Sequence, residues 1–338
     1  MKIAIYQMDS TAGACADNAD KIITAAIEAQ EKGAEMLITP AFSLTGTHLQ
    51  QLLRYKKWDK QVHLQIEKIK QVKGISIILG FIEKEKNRFS HCIVGIQNGK
   101  THLISQQEYN KQSDCCIELV GKNKKKPLIY FDYSPFSLTQ FHQIYNKLQK
   151  LAKKRPVLCV RPVGGQDACV FDGSSFAFNA KGELSFQAAF NQESLQYIDF
   201  TDDSFLGSLN ARPSTDEELL YNIAVTGLRN YVVKNGFKKL CLGLSGGLDS
   251  ALVLAMAVDA VGAENCEVLL MPSIYTAEIS NTAAEKMAKN MGVRYESVPI
   301  WDIYQSFKTA MSHRFNGLPD DLTEENLQAR IRGTLLMA

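Results

Sequence analysis

One stretch constrains this chain more than any other: Leu240-Cys241-Leu242-Gly243-Leu244-Ser245-Gly246-Gly247-Leu248-Asp249-Ser250. Its first five residues read as a buried strand. Ser-Gly-Gly forces a tight turn, and Asp249-Ser250-Ala251-Leu252-Val253 opens an apolar helix. A strand that feeds a glycine turn at a helix N-terminus forms a phosphate cradle, because backbone N–H groups point outward and the helix dipole favours an anion. Gly246 and Gly247 lack the Cβ atoms that would hold a phosphate away. Ser245 and Ser250 add hydroxyl donors, and Asp249 is placed to hold a Mg²⁺ that bridges phosphate oxygens. A bare glycine turn would need neither the two serines nor the aspartate. No lysine follows the glycines, so this is not the G-x-x-x-x-G-K-[ST] loop, and G-x-G-x-x-G is also absent.

Ser-Gly-Gly-Leu-Asp-Ser resembles the pyrophosphate loop of the ATP pyrophosphatases, which activate a substrate as its adenylate. The resemblance implies ATP and Mg²⁺ at Gly243, Leu244, Ser245, Gly246, Gly247, Leu248, Asp249 and Ser250, with Asp249 as the metal ligand.

The rest of the composition narrows the setting. A chain of 338 residues suffices for two domains with separate cores. Apolar residues make up 45% and charged ones 22%, the balance of a globular, soluble protein. A net charge of +2 gives no electrostatic case for nucleic acid. The one basic run, Lys122–Lys126, reads as a solvated loop. The eight cysteines form no C-x-x-C and several fall inside apolar strand patterns, which predicts reduced thiols and a cytoplasmic protein. Met1-Lys2-Ile3-Ala4-Ile5 runs straight into a strand without a signal-peptide pattern, and no apolar run approaches the ~18 residues of a membrane span. The six histidines show no i,i+4 pair beside a glutamate, so a zinc site is not expected.

The first half mixes βα units with hairpins. Strands are predicted at Lys2–Met8, Glu35–Thr39, Ile75–Glu83, His91–Gln97, Lys100–Gln107, Pro127–Tyr133 and Pro156–Val163. Asn98-Gly99 marks a tight hairpin, and a further hairpin spans Ala168–Asn179 and Gly182–Phe190. Helices are predicted over Ala16–Gly33, from about His48 to Lys70, and over Ser137–Lys154. This pattern suggests an αββα sandwich.

It resembles the nitrilase superfamily, and within it the glutaminase domain of glutamine-dependent NAD synthetases. Three stretches carry the likeness: Met1–Met8 with its helix; Leu37-Ile38-Thr39-Pro40-Ala41-Phe42-Ser43-Leu44-Thr45-Gly46; and Ser134-Pro135-Phe136 with Val163-Gly164-Gly165-Gln166-Asp167 and Phe171-Asp172-Gly173-Ser174-Ser175-Phe176. The resemblance implies a Glu–Lys–Cys triad, in which the Glu makes the thiolate and the Lys supports the oxyanion. Here Ala41 stands at the Glu position and Gln106 at the Lys position. Cys115 and Cys116 fall in the interval where the nucleophile belongs, without the expected I-C-E-D setting. Ala and Gln neither abstract a proton nor supply positive charge, so glutamine hydrolysis is predicted absent. Ser134, which would face a glutamine substrate in the family, is read as structural. Asp167 and Asp172 are read as turn-fixing residues.

In the second half, Phe205–Pro213 reads as a connector. Ser214-Thr215-Asp216-Glu217 reads as a capping box opening a helix that ends near Asn235-Gly236. Strands at Leu240–Leu244, Glu267–Met271 and Arg294–Pro299 alternate with helices, the last of them capped by Thr323. The expected fold is therefore α/β throughout: a nitrilase-like αββα sandwich over 1–204, a linker over 205–213, and a Rossmann-like parallel sheet over 214–338 with its ligands beyond the C-terminal strand ends. Met271 is either an adenine contact or an ordinary strand exit. Gln328, Arg330 and Arg332 either bridge surface charges or hold the phosphates of ATP or a dinucleotide, for which guanidinium forks are suited.

Asn326-Leu327-Gln328-Ala329-Arg330-Ile331-Arg332-Gly333, with Leu270-Met271-Pro272-Ser273, resembles the NAD synthetase family more than its relatives. That resemblance implies adenylation of deamido-NAD by ATP and amidation by ammonia, catalysed by a homo-oligomer acting on small molecules only. The family continues beyond this helix with a further strand and a Thr-Thr-Gly-Asn-Lys-like segment. The expectation is of a shortened synthetase half, inactive by itself or completed by another polypeptide. Two other readings stand beside this one: another ATP-pyrophosphatase ligase, and a non-catalytic assembly or regulatory remnant.

Overall fold

The apolar runs of the first half pair into two stacked sheets. A computed structural model of the chain describes all residues except 48, 50, 51, 56, 86, 87, 109–114, 119–125, 202, 316, 318 and 320. Lys122–Lys125 of the basic run therefore lie outside the described residues. The chain divides into two compact units, Met1–Tyr231 and Val232–Ala338.

The first unit contains β1 (Lys2–Gln7), α1 (Cys15–Glu31), β2 (Met36–Ile38), α2 (Trp58–Ile69), β3 (Ser76–Glu85), β4 (Arg88–Gln97), β5 (Lys100–Glu108), β6 (Cys115–Glu118) and β7 (Leu128–Phe131). It continues with α3 (Leu138–Ala152), β8 (Val157–Val160), β9 (Val163–Gln166), β10 (Cys169–Asp172), β11 (Phe176–Phe178), β12 (Leu184–Gln187), β13 (Ser194–Phe200) and β14 (Phe205–Leu206). Helix α4 (Asp216–Lys234) runs across the division between the units.

One sheet has the order β14-β13-β1-β2-β3-β4-β5, the other β12-β11-β8-β7-β6, and β9 with β10 forms a separate hairpin. In β7 and β8, Ile129, Phe131, Leu158 and Val160 share a core with Ile3, Ile5, Leu37 and Ile78 of the first sheet. Their alternates Leu128, Tyr130, Val157 and Cys159 pack with Phe141, Leu148 and Ala152 of α3 on the opposite face. A strand buried on both faces reads as a continuous apolar run, as these do. Ala19, Ile22 and Ala26 of α1 complete the first core, giving the αββα order of layers.

Asn98 and Gly99 both take positive φ, 50° and 75°, and close the β4–β5 hairpin with Gln97 opposite Lys100. The helix expected from about His48 starts instead at Trp58, whose indole N–H donates to the Ile82 carbonyl at 3.2 Å and is held in the core. Among the described residues before it, Leu52–Arg54 form a short 3-10 turn, and His48 itself lies outside the described residues.

The second unit contains β15 (Leu240–Gly243), α5 (Leu248–Val261), β16 (Cys266–Leu270), α6 (Glu278–Asn290), β17 (Arg294–Ser297), α7 (Trp301–Phe315) and α8 (Leu322–Met337). Its three strands run parallel in the order β15-β16-β17. Two helix starts shift from their expected caps. Thr215, not Ser214, accepts from the N–H of Glu218 at the head of α4. Asp321, not Thr323, caps α8: its carboxylate accepts from Thr323 N–H at 2.7 Å, and Glu324 reaches back to Asp321 N–H at 2.8 Å. No helix among the described residues is long and apolar enough to cross a membrane, and the eight cysteines are free thiols.

Candidate active site

The phosphate-loop stretch folds as a strand, a turn and a helix. Leu244 is buried and donates its N–H to the Leu269 carbonyl at 3.0 Å, which ties the loop to the neighbouring strand. Beyond it, Ser245, Gly247, Leu248 and Asp249 are exposed, so the bend is open to an anion. Gly246 has φ +79°, and a Cβ there would overlap the Ser280 carbonyl oxygen in the first turn of α6. Gly247 is the extended N-cap of α5 and brings no side chain to its first N–H groups. Uncapped N–H groups at a helix start are unsatisfied donors with the positive end of the dipole behind them. The two serines meet across the turn. Their hydroxyls lie 3.1 Å apart, Ser245 N–H donates to Ser250 Oγ at 3.2 Å, and Ser250 Oγ–H donates to the Gly247 carbonyl at 3.0 Å. The loop is thus preformed by bonds that an anionic ligand can replace.

The other expected residues of this site gather to different degrees. Met271 is buried among Ile300, Tyr304 and Ile331, and a Cβ on Gly243 would stand 3.0 Å from its Cε. Arg332, half-buried on α8, donates from Nε to the Met271 carbonyl at 3.0 Å. The strand exit and the α8 arginine are therefore joined beside the loop. Gln328 lines a cleft of about 330 Å³ with Tyr275, Tyr304, Asp321, Glu324 and Glu325. Arg330 is exposed on α8. Asp249 occupies the first turn of α5.

In the first unit the residues at the expected Glu and Lys positions, and the cysteines of the expected interval, differ in setting. Ala41 is buried at 1% exposure, whereas Gln106 is exposed on the edge strand β5, opposite Cys92. Cys115 is buried in β6 opposite Phe131, and burial, reinforced by neighbouring Cys116, pushes its thiol up to about 12. A nucleophilic cysteine needs the opposite shift.

Sequence reasoning did not single out His91, which sits beside Ala41. Its Nε2 pairs with the Ala41 carbonyl at 2.8 Å, and its ring packs on Phe42 and Tyr133. Burial lowers its pKa to about 4, against a small opposing effect of the Ala41 bond. The unfolded chain thus takes up the proton first as pH falls. The stability held by the neutral ring is complete above about pH 6.5 and is lost on the way down to pH 4, about 3 kcal/mol in all. The denaturant midpoint of the wild type should therefore fall relative to that of His91→Phe between pH 7 and pH 4.5; parallel curves would refute this.

Arg161 and Arg212 were also missed. Arg161 is 3% exposed and meets Asp132 at 2.8 Å and Asp172 at 2.9 Å. Arg212, in the expected connector, meets the other oxygen of Asp172 at 2.9 Å and lies 3.7 Å over the Phe141 ring. Asp172 is thus a buried ion-pair hub and not a turn-fixing residue. Asp167 does sit in a turn, at φ 53°. The available signal was a lone arginine within the apolar run Leu158-Cys159-Val160-Arg161-Pro162-Val163.

Comparison with known proteins yields two family matches. The NAD synthase family model matches residues 220–338, and the carbon-nitrogen hydrolase model matches residues 2–114. The glutamine-dependent NAD(+) synthetase of Acinetobacter baylyi is 32% identical over 376 residues, covering 99% of this chain and 70% of the relative. That of Synechocystis sp. is 32% identical over 397 residues, covering 99% and 71%. The structure of the Acinetobacter baumannii glutamine-dependent NAD+ synthetase in complex with ADP superposes with a TM-score of 0.89 at 29% identity, over 99% of this chain and 72% of that one.

Proposed function

This chain belongs to the glutamine-dependent NAD(+) synthetase family, and from that premise we propose that it adenylates deamido-NAD with ATP and amidates the adenylate with ammonia. The products are NAD, AMP and pyrophosphate. A carboxylate oxygen of the nicotinate bonds to the α-phosphorus as pyrophosphate leaves. Ammonia then bonds to the acyl carbon as AMP leaves and a proton is lost.

The observation that carries the nucleotide part is the open turn at the uncapped start of α5. Its N–H groups and the Ser245 and Ser250 hydroxyls face the position where charge develops on the leaving pyrophosphate. Arg330 and Arg332 offer guanidinium forks to phosphates, Met271 stands against Gly243 at the end of the loop strand, and Gln328 lies one turn before Arg332 on α8. Asp249 would hold Mg²⁺. A single carboxylate with phosphate oxygens and waters is a donor set this ion accepts, and bound there it neutralises phosphate charge. In the first unit, Ala41, exposed Gln106 and the buried Cys115 thiol support an absence of glutamine hydrolysis.

We assign residues 1–204 to the degenerate glutaminase-like part, 205–213 to the linker and 214–338 to the synthetase part. Free thiols fit a reducing cytoplasm. A net charge of +2 gives nucleic acid no hold. The working form is taken to be a homo-oligomer, which sedimentation velocity reads directly.

Calorimetric titration with ATP–Mg²⁺ tests the site. Saturable binding is expected, weakened about tenfold, or 1.4 kcal/mol, in Asp249→Ala and equally by chelating the metal. An unchanged affinity in the variant would remove Asp249 from the metal site, and no binding by the wild type would remove the nucleotide.

A further inference from the structure

Arg332 is a half-buried cation whose hold on the fold is a backbone carbonyl. Its Nε–H donates to Met271 at 3.0 Å, and among the described residues its Nη groups meet no carboxylate. Burial works against its charge, a cost that an anion beside it would offset. A guanidinium is a planar fork with a side-on pair, Nε and one Nη, and an end-on pair, the two Nη groups. With Nε–H held by the carbonyl, the end-on pair remains for a ligand.

The carbonyl that holds it is placed by the phosphate-loop strand. Gly243 pairs with Leu269, and Leu244 donates to the Leu269 carbonyl at 3.0 Å, so β15 and β16 stay in register up to the residue before Ser245. Met271 follows β16 directly. Its side chain is buried with Ile300, Tyr304 and Ile331, and Leu327, Leu335 and Leu336 of α8 pack on the same cluster. A Cβ on Gly243 would stand 3.0 Å from Met271 Cε and 3.6 Å from Leu336 Cδ1. Leu336 and Arg332 lie one helical turn apart on α8. Whatever sets the height of Leu336 over the strand therefore sets the reach of Arg332.

We propose that Gly243 and Met271 are positioning residues for Arg332: the missing Cβ lets Met271 and α8 close onto the loop strand, and the Met271 carbonyl turns the Arg332 Nη pair to a phosphate of the nucleotide held at 245–250. Met271 thereby serves phosphate binding through Arg332, and not adenine through its own side chain. The proposal rests on the nucleotide reading above.

Calorimetric titration with ATP–Mg²⁺ and the Nε–H resonance of Arg332 in proton–nitrogen NMR, both on the intact chain, test this. Arg332→Met assigns the resonance. In the wild type that N–H should exchange slowly with water. Gly243→Val should speed the exchange and weaken ATP about tenfold. Arg332→Met should weaken ATP by a similar factor, and adding Gly243→Val to it should cost nothing more, because the two act as one. Losses that multiply in the double variant, or fast exchange in a wild type that binds ATP, would overturn the proposal. If Gly243→Val does not fold, Gly243→Ala decides. Met271→Leu removes the overlapped methyl group, so its restoring ATP affinity to Gly243→Ala upholds the proposal and its failing to do so overturns it. A wild type with slow exchange that binds no ATP takes down the nucleotide reading, and the proposal with it.

Discussion

Asp172→Ala should cost the first unit about 3–5 kcal/mol, the usual penalty for removing one partner from a buried ion pair. Asp172 is 1% exposed and serves two arginines, Arg161 from the β8–β9 corner and Arg212 from beyond β14. Burial works against its charge, but the two guanidinium groups outweigh that and hold its carboxyl below the usual carboxylate range. Without it, Arg161 keeps Asp132 and the Gly173 carbonyl, while Arg212 is left over the Phe141 ring with no carboxylate. The folded-state pKa is depressed, so the contribution is present above about pH 4 and is lost as pH falls through the lower native value. Urea unfolding of the first unit at pH 7 reads the loss. A change under 1 kcal/mol would mean that the network relaxes around the gap.

Gly246→Ala is the second large effect. Alanine at φ +79° carries a strain of about 1–3 kcal/mol, and its methyl group would also meet the Ser280 backbone. Relief requires the loop to leave the head of α6, which misplaces the serines and the N–H groups together. ATP affinity should fall at least tenfold, with far-ultraviolet circular dichroism unchanged. Gly247 has φ −87°, and a Cβ there would meet only the Ser245 hydroxyl, at 3.4 Å, so Gly247→Ala keeps the backbone and only adds a methyl group in the phosphate's way. An unchanged ATP affinity in Gly246→Ala would refute the strain argument.

What was legible in the sequence was what neighbouring residues decide. The glycine turn after Leu244, the Asn98-Gly99 hairpin and the doubly apolar strands β7 and β8 all depend on residues within a few positions of one another. Helix caps were harder to read, because Ser214 and Thr215, or Asp321 and Thr323, compete for the same role within one or two residues, and backbone entry geometry selects between them. Asp172 looked like a turn residue because its partners lie 11 and 40 positions away. His91 was one of six histidines, and only the sheet register that sets β4 against β3 and the Pro40–Leu44 segment gives it a neighbourhood.

Helix α4 has a practical consequence. From Leu220 on it falls within the NAD synthase match, yet through Tyr231 it packs with the first unit. Asn191 donates to the Asn222 carbonyl and the Thr226 hydroxyl, Gly165 donates to Asn230, and a Cβ on Gly165 would stand 3.4 Å from Gly227 Cα. Cutting the gene at Ser214 to express the halves apart would strip one product of its cover and leave the other with a bare greasy helix. Both would be expected to precipitate. Cloning boundaries drawn from homology and those drawn from packing differ here by most of a helix.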